Sequence, residues 1–233
     1  MYPSIIQEER TDLQIRYATE ADASALARVS AVAMGQLAFY LHAFSGASED
    51  SVQRFETISF LRHMANPEVH VLCGVDIASG EIIAVSRWTV PSSLQYEQPP
   101  EAMELSEEAL KMVANYMDYA PRPMNDAVFA GFRRMFAESR RKWCRTDDIL
   151  LDLLCIVPGH QGRGLGTTML KWGLEKADAE KKRVYLESTP DGMTLYKKYG
   201  FELVEEVLFD YGEFGIEGEE TVSLMLREAV GME

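Results

Sequence analysis

The run ILLDLLCIVPGHQGRGLGTTMLKWGLEKADAEKK, Ile149 to Lys182, limits the possible folds of this chain more than any other stretch. Ile149 to Val157 is almost continuously apolar, the pattern of a strand covered on both faces. Gly159, Gly162, Gly164 and Gly166 then interrupt it. A helix is predicted from about Thr167 to Lys182. Met169, Leu170, Gly173, Leu174 and Ala177 share one face, and the pairs Lys176–Glu180 and Asp178–Lys182 lie on the other. The first N–H groups of such a helix have no intrahelical partner and carry partial positive charge. Glycines ahead of it let further amides converge without obstruction from side chains. Strand, glycine loop and helix start together predict a cradle for an anion, most simply a phosphate.

Two familiar phosphate loops do not fit. A Walker loop counted from Gly159 reaches Gly164 but has Leu165 where lysine is required. The dinucleotide fingerprint fits Gly162 and Gly164 and then meets Thr167. The pattern that fits is Q-x-x-G-x-G, filled by Gln161, Gly164 and Gly166.

The rest of the chain reads as mixed α/β. LQIRYAT alternates like a strand, and EADASALARVSAVAMGQL and SVQRFETISFLRHMAN follow helical spacing. Val69 to Asp76 and Glu81 to Val90 flank an Ala78-Ser79-Gly80 turn and predict a hairpin. Residues 91–147 begin proline-rich, continue as SEEALKMVANYMDYA, and reach a second helix at AVFAGFRRMFAESRRKW. They read as a helical insertion within one domain spanning 1–233. RVYLEST, FELVEEVLF and ETVSLMLRE are further strands, with GMTLYKKYG a short helix.

Three stretches, LLCIVPGHQGRGLGTTML, VYLES and LYKKYGF, give the chain a resemblance to the GCN5-related N-acetyltransferase (GNAT) superfamily. It is close over residues 149–209 and looser elsewhere. The resemblance implies an α/β (α+β type) fold: a mixed, mostly antiparallel central sheet, helices on both faces, and one parallel strand pair that splays apart. It implies N-acetyl transfer from acetyl-coenzyme A to an amine by direct attack in a ternary complex. A catalytically silent acyl-coenzyme A binding or sensing module, transfer to a hydroxyl, and a longer acyl group are the alternatives.

By the same resemblance the pantetheine arm pairs with Leu154, Cys155 and Ile156. The pyrophosphate rests on main-chain amides from Gly162 through Arg163, Gly164, Leu165 and Gly166 to Thr167, beside Gln161. Glu187 is the candidate base in the L-E step, and Tyr196 the candidate acid toward the departing thiolate. Asp152 interrupts an apolar strand, where an unpaired charge is expensive; it reads either as a base facing the opening or as a structural acceptor. Relatives often carry an asparagine between the L-E strand and the L-Y helix; here the link is the short STPDGMT.

Composition removes other classes. Formal net charge is −14, which argues against a general nucleic-acid binder. No span approaches the roughly 20 apolar residues of a membrane helix, and the opening MYPSIIQEERTDLQ has no signal-like pattern. Three cysteines without pairing or metal spacing suit a reducing interior, cytoplasmic or nuclear. His42, His63, His70 and His160 are scattered, so no metal site is expected. The basic run Arg133, Arg134, Arg140, Arg141 and Lys142 reads as a solvated helix face, with a partner or the 3′-phosphate of the coenzyme as the alternative. Asp210, Glu213, Glu217, Glu219 and Glu220 crowd one loop, where they would attract a cationic amine.

Overall fold

The computed structural model describes residues 12–231; most of the opening MYPSIIQEERTDLQ, where a targeting signal would lie, is outside them. In chain order the elements are β1 (Leu13–Tyr17), α1 (Ala23–Met34), α2 (Ala38–Ala43), α3 (Glu49–Met64), β2 (Val69–Asp76) and β3 (Ile82–Thr89). Then come α4 (Pro100–Met103), α5 (Glu107–Ala114), α6 (Asp126–Trp143), β4 (Ile149–Ile156) and α7 (Leu165–Ala179). The chain finishes with β5 (Val184–Ser188), α8 (Met193–Lys198), β6 (Glu202–Asp210) and β7 (Glu219–Arg227).

Seven strands form one sheet in the order β1-β2-β3-β4-β5-β7-β6. Every neighbouring pair is antiparallel except β4–β5. Alternation along the strands divides the core between two faces. Met169, Leu170, Trp172 and Tyr196, from α7 and α8, cover one face over Trp88, Leu151 and Leu186. On the other face α1 and α3 cover Val71, Val85 and Cys155. Beside them Phe55, Phe132 and Phe209 belong to an aromatic cluster over Tyr185 and Leu224. Helices thus lie on both faces, as the sequence implies.

Helix α7 starts two residues earlier than the spacing predicts and ends three earlier. Gly164 caps the start in the left-handed region at φ 80°, so the helix begins at Leu165. At the other end Lys181 takes φ 50° and the Lys182 amide bonds back to the Ala177 carbonyl, closing the last turn. α2 is a separate short helix that the sequence pattern runs together with its neighbours. The segment from 91 to 147 is helical, and the Glu20 carboxylate ties it to the body by accepting from the Ser106 amide and hydroxyl.

Candidate active site

Strands β4 and β5 share three registered pairs, Ile149–Val184, Leu150–Tyr185 and Leu151–Leu186, and then part. Beyond that point β4 stays paired to β3 as far as Ile156, and β5 to β7 as far as Ser188. The edge of β4 facing β5 is therefore left without a ladder partner over its second half. The division falls at a bulge. Arg87 pairs with Leu153 and Trp88 with Leu151, so Asp152 is the extra residue in β4. The bulge bends the strand and keeps the Asp152 carboxylate on the α6 side.

The glycine loop meets the open end of this gap. Gly162 and Gly164 take φ 73° and 80°, a region that costs an L-residue roughly 1–2 kcal/mol. A short 3-10 turn at Pro158–His160 precedes them. Among the described residues, no acceptor is paired with the backbone amides of residues 162–167; the first bonded amide is Thr168, to the Gly164 carbonyl. The sequence-predicted cradle is thus a run of free donors at a helix N-terminus. Two neighbouring side chains are tied elsewhere. Gln161 Nε2 donates to the Ile156 carbonyl at 3.1 Å. Arg163 donates to Asp12 Oδ2 at 2.5 Å, and to His160 Nδ1 at 2.8 Å.

Leu154 and Ile156 lean toward the α7 face and Cys155 toward α1, as alternation requires. Cys155 is buried, and burial pushes its thiol up to about 12. Tyr196, on α8, is 8% exposed and meets Phe201 edge-on at 5.7 Å. Burial raises its phenol well above the ordinary value. α8 comes this close because residue 192 is glycine. A Cβ there would stand 2.7 Å from Ser188 Oγ and 3.1 Å from the Tyr196 ring.

Asp152 and Glu187 meet through a residue that sequence reading leaves on a solvated face. Arg140 of α6 donates through Nε to Glu187 Oε1 at 2.8 Å. Its Nη2 reaches Glu187 Oε2 at 2.8 Å and Asp152 Oδ1 at 2.6 Å. Arg87 Nε donates to the other Asp152 oxygen at 2.6 Å. Burial alone would raise the Asp152 carboxyl, but Arg87 and Arg140 hold it far below the usual carboxylate range. In Glu187 burial prevails over Arg140, and its carboxyl is raised. The clue available in the sequence was Asp152 itself. An acid in an apolar strand demands a cation, and Arg87 sits in the equally apolar β3.

Glu56 and Tyr40 were not singled out from the sequence. Glu56 lies on α3 beside the Tyr40 hydroxyl; burial raises both groups, and Arg87 partly offsets this. His63, a further two turns along α3, donates through Nδ1 to the Ser59 carbonyl at 2.6 Å and stands 3.5 Å from Arg87. Burial and the Arg87 charge hold His63 neutral down to about 3. Among the described residues no group of three or more His, Cys, Asp or Glu is placed to hold a metal. None of the described helices is long and apolar enough to cross a membrane.

Comparison with known proteins agrees with this geometry. Residues 125–203 match the family model described as an acetyltransferase (GNAT) domain. Over residues 125–203 the chain matches a GNAT acetyltransferase domain, and its sheet, with one splayed parallel pair, is the GNAT fold. It is 41% identical over 44 residues to a probable acyltransferase, SID5, of Ajellomyces capsulatus; the match spans 19% of this chain and 32% of that relative. Among solved structures it is similar to a histone acetyltransferase HPA2-related acetyltransferase from Corynebacterium glutamicum. That likeness has 16% identity and a TM-score of 0.58, and covers 96% of this chain and 100% of the other. A polyamine N-acetyltransferase of Drosophila melanogaster, which forms N-acetylagmatine, gives 10% identity and a TM-score of 0.58, covering 93% and 99%. At these identities the solved structures are likenesses of fold.

Proposed function

We propose that this protein transfers an acetyl group from acetyl-coenzyme A to the amine of a basic acceptor, by direct attack. The observation that carries the proposal is the unclosed β4–β5 gap opening beside the unpartnered amides of residues 162–167. Those amides suit a diphosphate, and the free edge of β4 at Leu154, Cys155 and Ile156 suits the amide groups of a pantetheine arm. Because Gln161 and Arg163 are engaged within the protein, the main chain carries the phosphate contacts.

Acetyl-coenzyme A supplies a thioester carbonyl. An alkylammonium of pKa near 10.4 must first lose a proton, at a cost of about 4 kcal/mol at pH 7.4. The amine lone pair then forms the C–N bond as the C–S bond breaks. Tyr196, kept protonated by burial, is suited to hand its proton to the departing thiolate. The Cys155 thiol, raised to about 12, stays protonated and is a poor relay for the acetyl group. That favours a ternary complex over an acyl-cysteine. With four of their oxygen contacts taken by Arg140 and Arg87, Asp152 and Glu187 are suited to hold α6 and the splayed strands in register.

Two of the five loop carboxylates are committed. Asp210 accepts from the Gly212 amide, and Glu220 from Phe39 N–H and the Tyr211 hydroxyl. Glu213, Glu217 and Glu219 are exposed and form no ion pair among the described residues. Their field steers a cationic acceptor, and the shared fold of a polyamine N-acetyltransferase is in keeping with one. Thiol release from acetyl-coenzyme A across cationic, neutral and anionic amines tests the reading. Cationic acceptors should show the highest kcat/KM, with the advantage shrinking as salt rises. Equal values for cationic and anionic amines would remove the acceptor preference. Tight binding of acetyl-coenzyme A with no thiol release would mark a silent binding module.

A further inference from the structure

From Pro158 to Thr168 the glycine loop carries one lysine or arginine, Arg163, and the fold engages it elsewhere. Arg163 stands between Gly162 and Gly164, inside the run of unpartnered amides. Its Nη2 donates to Asp12 Oδ2 at 2.5 Å and its Nη1 to His160 Nδ1 at 2.8 Å. Arginine has donors only, so His160 Nδ1 is the acceptor and the ring proton lies on Nε2. Strands β1 and β5 lie on opposite sides of β4 in the sheet. A guanidinium held at the start of β1 is therefore drawn away from the β4–β5 gap.

The two contacts differ in kind. His160 belongs to the 3-10 turn that opens the loop, so its hand on Arg163 stays within the loop. Asp12 is fixed to the sheet: its carbonyl accepts from the Ile77 amide at 3.1 Å, and Leu13 beside it pairs with Asp76. Asp76 is a second acid at this corner. Its carboxyl is lowered chiefly by the Ser79 amide, with Arg163 contributing, and its Oδ1 accepts from the Ala78 and Ser79 amides. Asp76 thus serves its own turn, and Asp12 holds the cation. The Arg163 and Asp12 side chains are 36% and 37% exposed, and an ion pair this wet is weak enough to exchange partners. A diphosphate presents the same guanidinium with more negative charge and with paired oxygens.

We infer that Asp12 is an internal competitor of the coenzyme's diphosphate, withholding Arg163 from the cradle. This rests on the acyltransferase reading above, which puts that diphosphate on the amides of residues 162–167. While Asp12 holds the guanidinium, the main chain carries the phosphate contacts. Affinity for coenzyme A is then set below what the loop would reach with Arg163 released. Each turnover leaves free coenzyme A in the same cradle, so a restrained grip favours product departure.

Calorimetric titration of coenzyme A into the full chain tests this with wild type, Asp12→Asn, Arg163→Gln and the double variant. Asp12→Asn should tighten binding about fivefold at low salt, and the gain should shrink in about 0.5 M sodium chloride. Arg163→Gln should weaken binding less than about threefold in the wild-type background, and about fivefold in Asp12→Asn. Dephospho-coenzyme A, which keeps the diphosphate and lacks the 3′-phosphate, should show the same gain. Unchanged or weaker binding in Asp12→Asn overturns the competition. So does a gain that survives Arg163→Gln, since it would reflect only the removal of a negative charge. A gain seen with coenzyme A and absent with dephospho-coenzyme A overturns the diphosphate as the rival. Each of these results leaves the acyltransferase reading standing, whereas a wild type that binds no coenzyme A overturns both. Should Asp12→Asn fail to fold, Asp12→Ser carries the same expectations.

Discussion

Arg140 holds both oxygens of Glu187 at 2.8 Å, and the same guanidinium reaches Asp152 across the point where β4 and β5 part. One side chain from α6 thereby fastens the two strands whose separation makes the gap. Without it, two buried carboxylates would face each other across the splay with Arg87 alone between them. Arg140→Leu is expected to lower unfolding free energy by about 2 kcal/mol, below the usual cost of breaking a buried pair because the guanidinium is 33% exposed. Adding Glu187→Gln should recover most of that loss. Urea denaturation of the single and double variants measures both; equal stability of Arg140→Leu and wild type would remove Arg140 from this role.

Gly164 supplies the left-handed residue that turns the loop into α7. Gly164→Ala should cost about 1 kcal/mol in stability from backbone conformation alone. Affinity for coenzyme A should fall at least about tenfold, because that strain relaxes by turning the cradle amides away. Thermal unfolding and calorimetry on the same preparation separate the two effects. Unchanged affinity would show that the amides of this loop do not hold the diphosphate.

Tyr196 is kept protonated by burial, well past the ordinary phenol range. Tyr196→Phe should therefore lower kcat by about 100-fold and leave the KM for acetyl-coenzyme A within about threefold of wild type. The wild-type rate should show no loss attributable to phenol ionisation up to about pH 10. A kcat unchanged in Tyr196→Phe would make the residue a packing partner of Phe201 only.

His70 reports on stability rather than turnover. Burial, with Lys176 nearby, holds it neutral down to about 4, and its Nδ1 lies 2.9 Å from the Tyr17 hydroxyl. Between the ordinary value near 6.5 and about 4 the unfolded chain binds a proton that the folded chain does not. Stability therefore falls as pH drops through that window, by roughly 3 kcal/mol at most for this group. Comparing urea unfolding at pH 7.5 and 4.5, His70→Gln should lose distinctly less than wild type. Equal losses would mean that the folded protein protonates His70 freely.

The parts of the site that were legible in sequence are local. β4, the glycine loop, α7, β5 and α8 follow one another, and each is specified by residues a few positions apart. The glycines proposed as the cradle are visible because their spacing along the chain is itself the requirement, whereas Tyr196 is named by the family resemblance of LYKKYGF. The charge network is not local: Arg140 is 12 residues from Asp152 and 47 from Glu187, and Arg87 is 65 from Asp152. Arg140 looked like its neighbours Arg133, Arg134 and Arg141 because helical periodicity does not reveal which member of a basic run turns inward. Glu56 was equally hidden, since α3 is a mixed polar helix in which one glutamate resembles another. Its place near Arg87 and Tyr40 is set by tertiary packing alone. The Asp152 bulge shows both sides of this. An acid inside ILLDLLCIV announces that something must compensate it, while the compensating residues come from β3 and α6.

Backbone amide spectra recorded while coenzyme A is titrated into the full chain test the central claim most directly. The account predicts saturable shifts concentrated in residues 162–167 and along 153–156 of β4. Absence of saturable shifts, or shifts confined to other parts of the sheet, would contradict it.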